Sequence, residues 1–155
     1  MKRVLIFATI LTTLVCCNKD KFQTKPQITL KTDGNIIIPV NGVLPVNLEY
    51  TDKEGDVDNV VFVKKERLNK RPVTPTLRDT FSLKVPEFPN TSKGEIVLNL
   101  TYQNYLISAQ DPLNVPGSNP PKKESDTLNF KFVLKDKAGN VSDTATLSNV
   151  IILRS

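Results

Sequence analysis

The chain contains no histidine and no tryptophan, and its only cysteines are the adjacent Cys16 and Cys17. Without histidine there is no imidazole base poised near neutral pH and no His ligand for zinc. Two neighbouring cysteines supply neither an internal disulfide framework nor a Cys/His nucleophilic pair. Glycine is scarce, 6 residues in 155, and none of it falls in a Gly-x-Ser-x-Gly or phosphate-cradling pattern. Ser-x-x-Lys is missing as well. These gaps point to a chain that is not an enzyme. One catalytic alternative survives them, a carboxylate-only glycoside chemistry, because any two acids could converge to about 5–9 Å. Glycan stacking also lacks material: Tyr50 falls at a core position of a predicted strand, which leaves Tyr102 and Tyr105.

What is present describes one ordinary globular unit. With 39% hydrophobic and 24% charged residues, the chain is too apolar for intrinsic disorder and too polar for a multi-span membrane protein. Its 155 residues fit a single domain. The first residues are different in kind. Lys2 and Arg3 precede an apolar run from Val4 to Val15, which ends at Leu14-Val15-Cys16-Cys17. A spanning helix needs about 20 apolar residues, so the run has the length of a secretory h-region instead.

That junction resembles the lipobox of bacterial lipoproteins, in which cleavage precedes a cysteine bearing a diacylglyceryl group. The resemblance implies a signal peptide over residues 1–16, lipidation at Cys17, and a tether over residues 17–25. Cleavage there places Leu14 at −3 and the small Cys16 at −1. The acyl chains, palmitate among them, would anchor the chain to the membrane, since two or three chains bind where one alone binds marginally. Asn18-Lys19-Asp20-Lys21 resembles in part the signals that export lipoproteins to the outer face of a Gram-negative outer membrane. A charged, solvated tether would read the same way, so surface and periplasmic orientation both stay open. Losing the leader removes Lys2 and Arg3 and no acid, which lowers the net charge from +5 to +3. That excess implies no nucleic-acid partner.

Residues 26–155 alternate with period two rather than 3.6. Leu128, Phe130, Phe132 and Leu134 alternate with Asn129, Lys131, Val133 and Lys135. Val46-Leu48-Tyr50, Ile96-Leu98-Leu100 and the stretch from Val60 to Lys65 repeat the pattern, the last with apolar residues on both faces. Further strands are expected at 27–32, 35–40, 80–85 and 143–153. Turns at Asp33-Gly34-Asn35, Asn41-Gly42, Glu54-Gly55-Asp56 and Gly139-Asn140 separate them, with most of the 11 prolines also between strands. Seven or eight short strands so joined predict an all-β fold, a single antiparallel β-sandwich, with a small barrel as the alternative. Tyr50-Thr51-Asp52-Lys53-Glu54-Gly55-Asp56 and Asp136-Lys137-Ala138-Gly139-Asn140-Val141-Ser142 resemble turns of immunoglobulin-like and fibronectin-III-like domains in bacterial envelope lipoproteins. That resemblance implies a fold and a compartment and names no ligand.

In immunoglobulin strand order the loop 52–59 and the turn 136–142 share one end. Asp52, Glu54, Asp56 and Asp136 would gather there, with Asp58 and Asp143 near, around a glycine. Alternating carboxylates of this kind suit calcium, a hard cation that takes 6–8 oxygens at about 2.3–2.6 Å. A hydrated acidic turn is the plain alternative. The opposite end would hold Asn69–Thr76 and a long connection, 108–125, with Pro112, Pro116, Pro120 and Pro121 and then Lys122-Lys123. Those prolines reduce the entropy of ordering, as suits a recognition loop, although solvated slack has the same composition. The acidic end would face the membrane on a tether reaching about 30 Å at most, where calcium could bridge to anionic headgroups. Asp126-Thr127-Leu128 and Asp143-Thr144-Ala145 also resemble the acceptor sites of a bacterial O-glycosylation system. The sequence thus implies a lipid-anchored envelope module whose partner is another envelope or extracellular protein.

Overall fold

The computed structural model of the chain describes residues 24–155. Cys17, the leader and most of the tether therefore lie outside the described residues. Eight strands follow one another: β1 (Gln27–Leu30), β2 (Ile37–Ile38), β3 (Val43–Thr51), β4 (Val60–Arg67), β5 (Thr80–Lys84), β6 (Lys93–Thr101), β7 (Asp126–Lys135) and β8 (Ala145–Ile152). They form two sheets, β1-β3-β6 and β2-β8-β7-β4-β5. The architecture is all-β and sandwich-like. Every pairing is antiparallel except the short one between β2 and β8, which is parallel.

Alternation explains why these segments pair as they do. Leu128, Phe130, Phe132 and Leu134 turn inward from β7 and are fully buried, while the residues between them are partly exposed. Leu44, Val46, Leu48 and Tyr50 from β3 and Ile96, Leu98 and Leu100 from β6 supply the facing layer of the same core. Val61 and Val63 join from β4, with Phe62 between them 45% exposed. A period-two strand with one apolar face has nowhere else to bury it, and removing one of the large rings, as in Phe132→Ala, would cost about 3–5 kcal/mol.

Three segments depart from the predicted strands. The stretch 35–40 contributes only Ile37–Ile38, set against β8 by bonds from Ile151 and Leu153 to the carbonyls of Ile36 and Ile38. In β8 the buried residues are Leu147 and then Val150, three apart, because a bulge opposite Asn129 inserts a residue. Asn149 takes the left-handed conformation there (φ 56°) and its N–H donates to the Asn129 side chain. Thirdly, the chain leaves β6 through a five-residue π-helical turn, Tyr102–Leu106. Tyr102 and Leu106 are buried by it, and the Tyr102 hydroxyl donates to the Leu153 carbonyl at 2.7 Å. Tyr102 is thus a core aromatic and no free stacking platform.

Strand direction sorts the connections into two poles. Thr51 pairs with Lys93 and Val60 with Lys135, so loop 52–59, the start of β6 and turn 136–142 lie at one end. Arg67 pairs with Leu128 and Asp126 with Ile152, which places loop 68–79, the long connection and the C-terminus at the other. Thr24 and Lys25 meet Asn140 and Asp143, so the described chain begins at the first end.

Candidate functional site

Two groups of buried ionisable side chains occupy the poles. At the end where the described chain begins, Asp52, Asp56 and Asp136 each bring one carboxylate oxygen within 4.8 Å of the others. Asp52 is fully buried, Asp136 is 1% exposed and Asp56 is half-buried. Glu54, expected with them from its spacing, does not join the group. It lies on the exposed part of the loop, where its backbone carbonyl accepts a bond from Asn90. Asp143 also stays apart, exposed and paired with Lys25 at 2.6 Å.

Local geometry fixes this acidic group. Asp52 Oδ2 accepts the Gly55 N–H at 2.7 Å, closing the loop back on itself. Gly55 has φ +70° and packs so tightly that a Cβ there would sit 2.6 Å from the Thr91 backbone nitrogen, so no other residue fits. Across from it, Asp136 caps its own turn: its oxygens accept the Asn140 backbone N–H at 2.7 Å and side-chain amide at 2.8 Å. The left-handed Gly139 completes that turn. The Lys137 N–H donates to the Asp56 carbonyl at 3.0 Å and joins the two segments.

What the group lacks is compensation. Oδ1 of Asp52, of Asp56 and of Asp58 is buried with no hydrogen-bond partner. Burial, helped by the charge of Asp56, pushes the Asp52 carboxyl above its ordinary value despite the bond from Gly55. Lys137 is the near cation, and Asp58 holds it at 2.8 Å. That bond lowers the Asp58 pKa and raises that of Lys137.

The far pole also buries charge, but pairs it. Asp126 is fully buried and accepts from Arg67 Nε at 3.0 Å, Arg154 Nη1 at 2.8 Å and the Ser108 N–H at 3.0 Å, with the Ala109 N–H at 3.3 Å. Arg67 also donates to the Arg71 carbonyl, and Arg71 to the Asn114 carbonyl. Lys65, 4% exposed, donates to the carbonyls of Leu77 and Ile107, each at 2.7 Å. Burial lowers its pKa to about 8.

These charges tie both far-pole connections to the sheet. Leu77 N–H meets the Ser108 carbonyl, Gln110 N–H meets that of Pro75, and Asn69 brackets Ser125 and Thr127. Residues 113–124 fold back on themselves through Glu124 to Leu113 and Val115 to Lys122, with Gly117 left-handed at the tip. Both ends of the long connection are therefore bonded to the body of the domain. Its tip stays in solvent, with Val115, Pro116, Pro120, Pro121, Lys122 and Lys123 exposed.

Lys65, Arg67, Asp126 and Arg154 were not expected as a network, although the phase of two of them carried a signal. Lys65 is in phase with Val61 and Val63, and Asp126 with Leu128 and Phe130. A charge in phase with a buried apolar face has to be paired inside. A third feature is a groove of about 290 Å³ beside Phe62, Phe81 and Val133. The two cations lining it, Lys64 and Lys131, are both engaged with Glu66. Neither a known protein-family model nor a curated protein sequence matches the chain.

Proposed function

We propose that the chain is a non-catalytic module of the Gram-negative cell envelope, lipidated at Cys17, which binds another envelope or extracellular protein through its far pole. One observation carries the reading. The buried ionic side chains of that pole hold two exposed loops, 68–79 and 107–125, in a fixed arrangement. Loops ordered before binding lose little entropy when a partner arrives, so preorganisation favours recognition. The surface so presented combines Leu68, Val115 and the prolines with Lys70, Arg71, Lys122 and Lys123. Exposed apolar residues together with exposed lysines suit a protein face carrying acidic residues.

The strand order supports an immunoglobulin-like type for the domain. β1, β3 and β6 take the places of strands A, B and E, and β8, β7 and β4 those of G, F and C, with β5 on the far side of C. The described chain begins at the opposite pole, so an N-terminal anchor would leave the loops facing away from the bilayer.

The test is photo-crosslinking in native envelopes, with the reactive residue placed at Lys122 in the loop or at Asn99 on β6. Crosslinks to one partner from Lys122 and none from Asn99 are expected. Equal capture from both positions overturns the far-pole reading. Palmitate labelling of the wild type beside Cys17→Ala tests the anchor, and label retained in the variant removes Cys17 from it.

A further inference from the structure

We propose that Asp52, Asp56 and Asp136 form a calcium site that joins loop 52–59 to turn 136–142. The reading goes beyond the partner-binding role and concerns the opposite pole. Two observations meet here. Three carboxylates from two separate segments place oxygens within 4.8 Å of one another. Independently, Oδ1 of Asp52 and Oδ1 of Asp56 are buried and bonded to nothing.

A buried carboxylate oxygen without a donor carries an uncompensated desolvation cost, and like charges at this distance add to it. Folds normally answer with a guanidinium, an ammonium or a set of N–H groups, as this one does at Asp126. Here the donors present serve other oxygens: Gly55 N–H serves Oδ2 of Asp52, Asn140 serves Asp136, and Lys137 serves Asp58. The remaining lone pairs suit a small cation that binds oxygen.

Donor type and spacing choose the ion. All three ligands are hard carboxylate oxygens, which selects against soft transition metals. Calcium binds oxygen at about 2.3–2.6 Å in flexible geometry, so three oxygens within 4.8 Å of one another can share one ion. Magnesium prefers a near-ideal octahedron at about 2.0–2.1 Å and keeps several of its own waters, a poorer match to three carboxylates held by a capped turn and a glycine-locked loop. Calcium also accepts water for its remaining positions, and the half-buried Asp56 leaves a path for it. Turn 136–142 already receives the first described residue, since Asn140 donates to the Thr24 carbonyl at 3.3 Å. Calcium would therefore stiffen the end from which the chain's N-terminal segment departs.

The experiment is calorimetric titration of the purified full chain with calcium chloride, beside thermal melts in calcium and in chelator. One ion per chain and a higher melting temperature in calcium are expected. Asp56→Asn and Asp52→Asn should each weaken binding by roughly tenfold or more. Asp143→Asn, which removes an exposed acid outside the group, should bind as the wild type does. Asp56 is the less buried of the two, so its variant keeps the test valid if Asp52→Asn misfolds. No heat and identical melts, on a chain whose circular dichroism is that of folded β-structure, overturn the site. An equal loss in Asp143→Asn reduces it to surface charge, and equal affinity for magnesium overturns the choice of ion. None of these results bears on the far-pole crosslinks, so the two readings fail separately.

Discussion

At one end of the molecule Asp126 is fully buried and meets two guanidiniums and two backbone N–H groups. At the other end Asp52 is just as buried and meets the Gly55 N–H, with Oδ1 left over beside the carboxylates of Asp56 and Asp136. The same residue type at the same burial thus does opposite things. Where the protein supplies the counter-charge, the acid fixes loops. Where it does not, the acid keeps a buried carboxylate oxygen without a partner. Burial alone therefore says little about the role of an ionisable group, and the inventory of its partners decides.

The sharpest way to break this comparison is to delete the matched acid. Asp126→Ala strands Arg154 in the interior, leaves Arg67 with Glu124 at 3.4 Å and the Arg71 carbonyl, and frees two N–H groups, a change that costs about 3–5 kcal/mol. Equilibrium unfolding in urea checks the loss, and proteolysis should cut first within 107–125. Arg154→Met should cost less, about 1.5–3 kcal/mol, because Asp126 keeps Arg67 and both N–H groups. If the Asp126 variant loses no more than the Arg154 variant, the network is not the tie described.

Lys65 sharpens the comparison through pH. Its ammonium lies among Asp79, Asp126, Arg78 and Arg154, and burial is the strongest influence on it. With a folded value of about 8 against 10.5 when exposed, the unfolded chain keeps a proton between those pH values that the folded chain has released. Stability gains a rising contribution from Lys65 across that window, and the penalty for its charge is fully present below pH 8. The difference in unfolding free energy between wild type and Lys65→Met should therefore climb from pH 8 to 10.5. A flat difference would mean that Lys65 stays charged inside without penalty.

Strand phase told much of this from sequence and partner chemistry told little. The alternation of Leu128 to Leu134 and of Val46 to Tyr50 placed both sheets, because a period-two apolar face has only one way to be buried. The common end of loop 52–59 and turn 136–142 followed once immunoglobulin strand order was assumed. Glu54 was misplaced because spacing places residues along a loop without showing which way the loop folds, and the Gly55 bond to Asp52 sends Glu54 outward. The π-helical turn stayed hidden for a similar reason. Tyr102 and Leu106 are four apart, and Thr101-Tyr102-Gln103 continues the alternation of β6 without interruption. The far-pole network was legible only as charges in apolar phase, without any hint of which distant residues answered them.

At the unmatched pole the expected sign reverses. In chelator, Asp52→Asn removes a charge that burial already disfavours, so the variant should melt at the same temperature as the wild type or higher. The raised carboxyl pKa makes the same point by pH. The penalty is fully present above the folded value and is relieved as pH falls through it, until the group is protonated in both states. In calcium the order should invert, with the wild type the more stable. A variant less stable than wild type in chelator would show that the Gly55 bond outweighs the charge, and the contrast between the poles would weaken.

The smallest effect belongs to a group that has partners but is only partly buried, and it helps to separate the two factors. On the three-stranded sheet Glu49 bridges its neighbours, meeting Lys31 of the segment after β1 at 2.6 Å and Lys93 of β6 at 2.8 Å. Bonds from Lys31 and then Lys93 hold its carboxyl down at about 2. On pairing alone it resembles Asp126, with two cations to one acid. Its setting is partly solvent, however, where screening and the entropy of long side chains cancel most of the attraction. Glu49→Gln should therefore leave the melting temperature at neutral pH almost unchanged, and raising the salt should erase what difference remains. The wild type alone should lose a small stabilisation as pH falls from the ordinary glutamate range through about 2, because a lowered carboxyl contributes above its unfolded value and not below its folded one. A loss in Glu49→Gln comparable to that of Asp126→Ala would mean that the number of partners, and not burial with partners, sets the strength of the far pole.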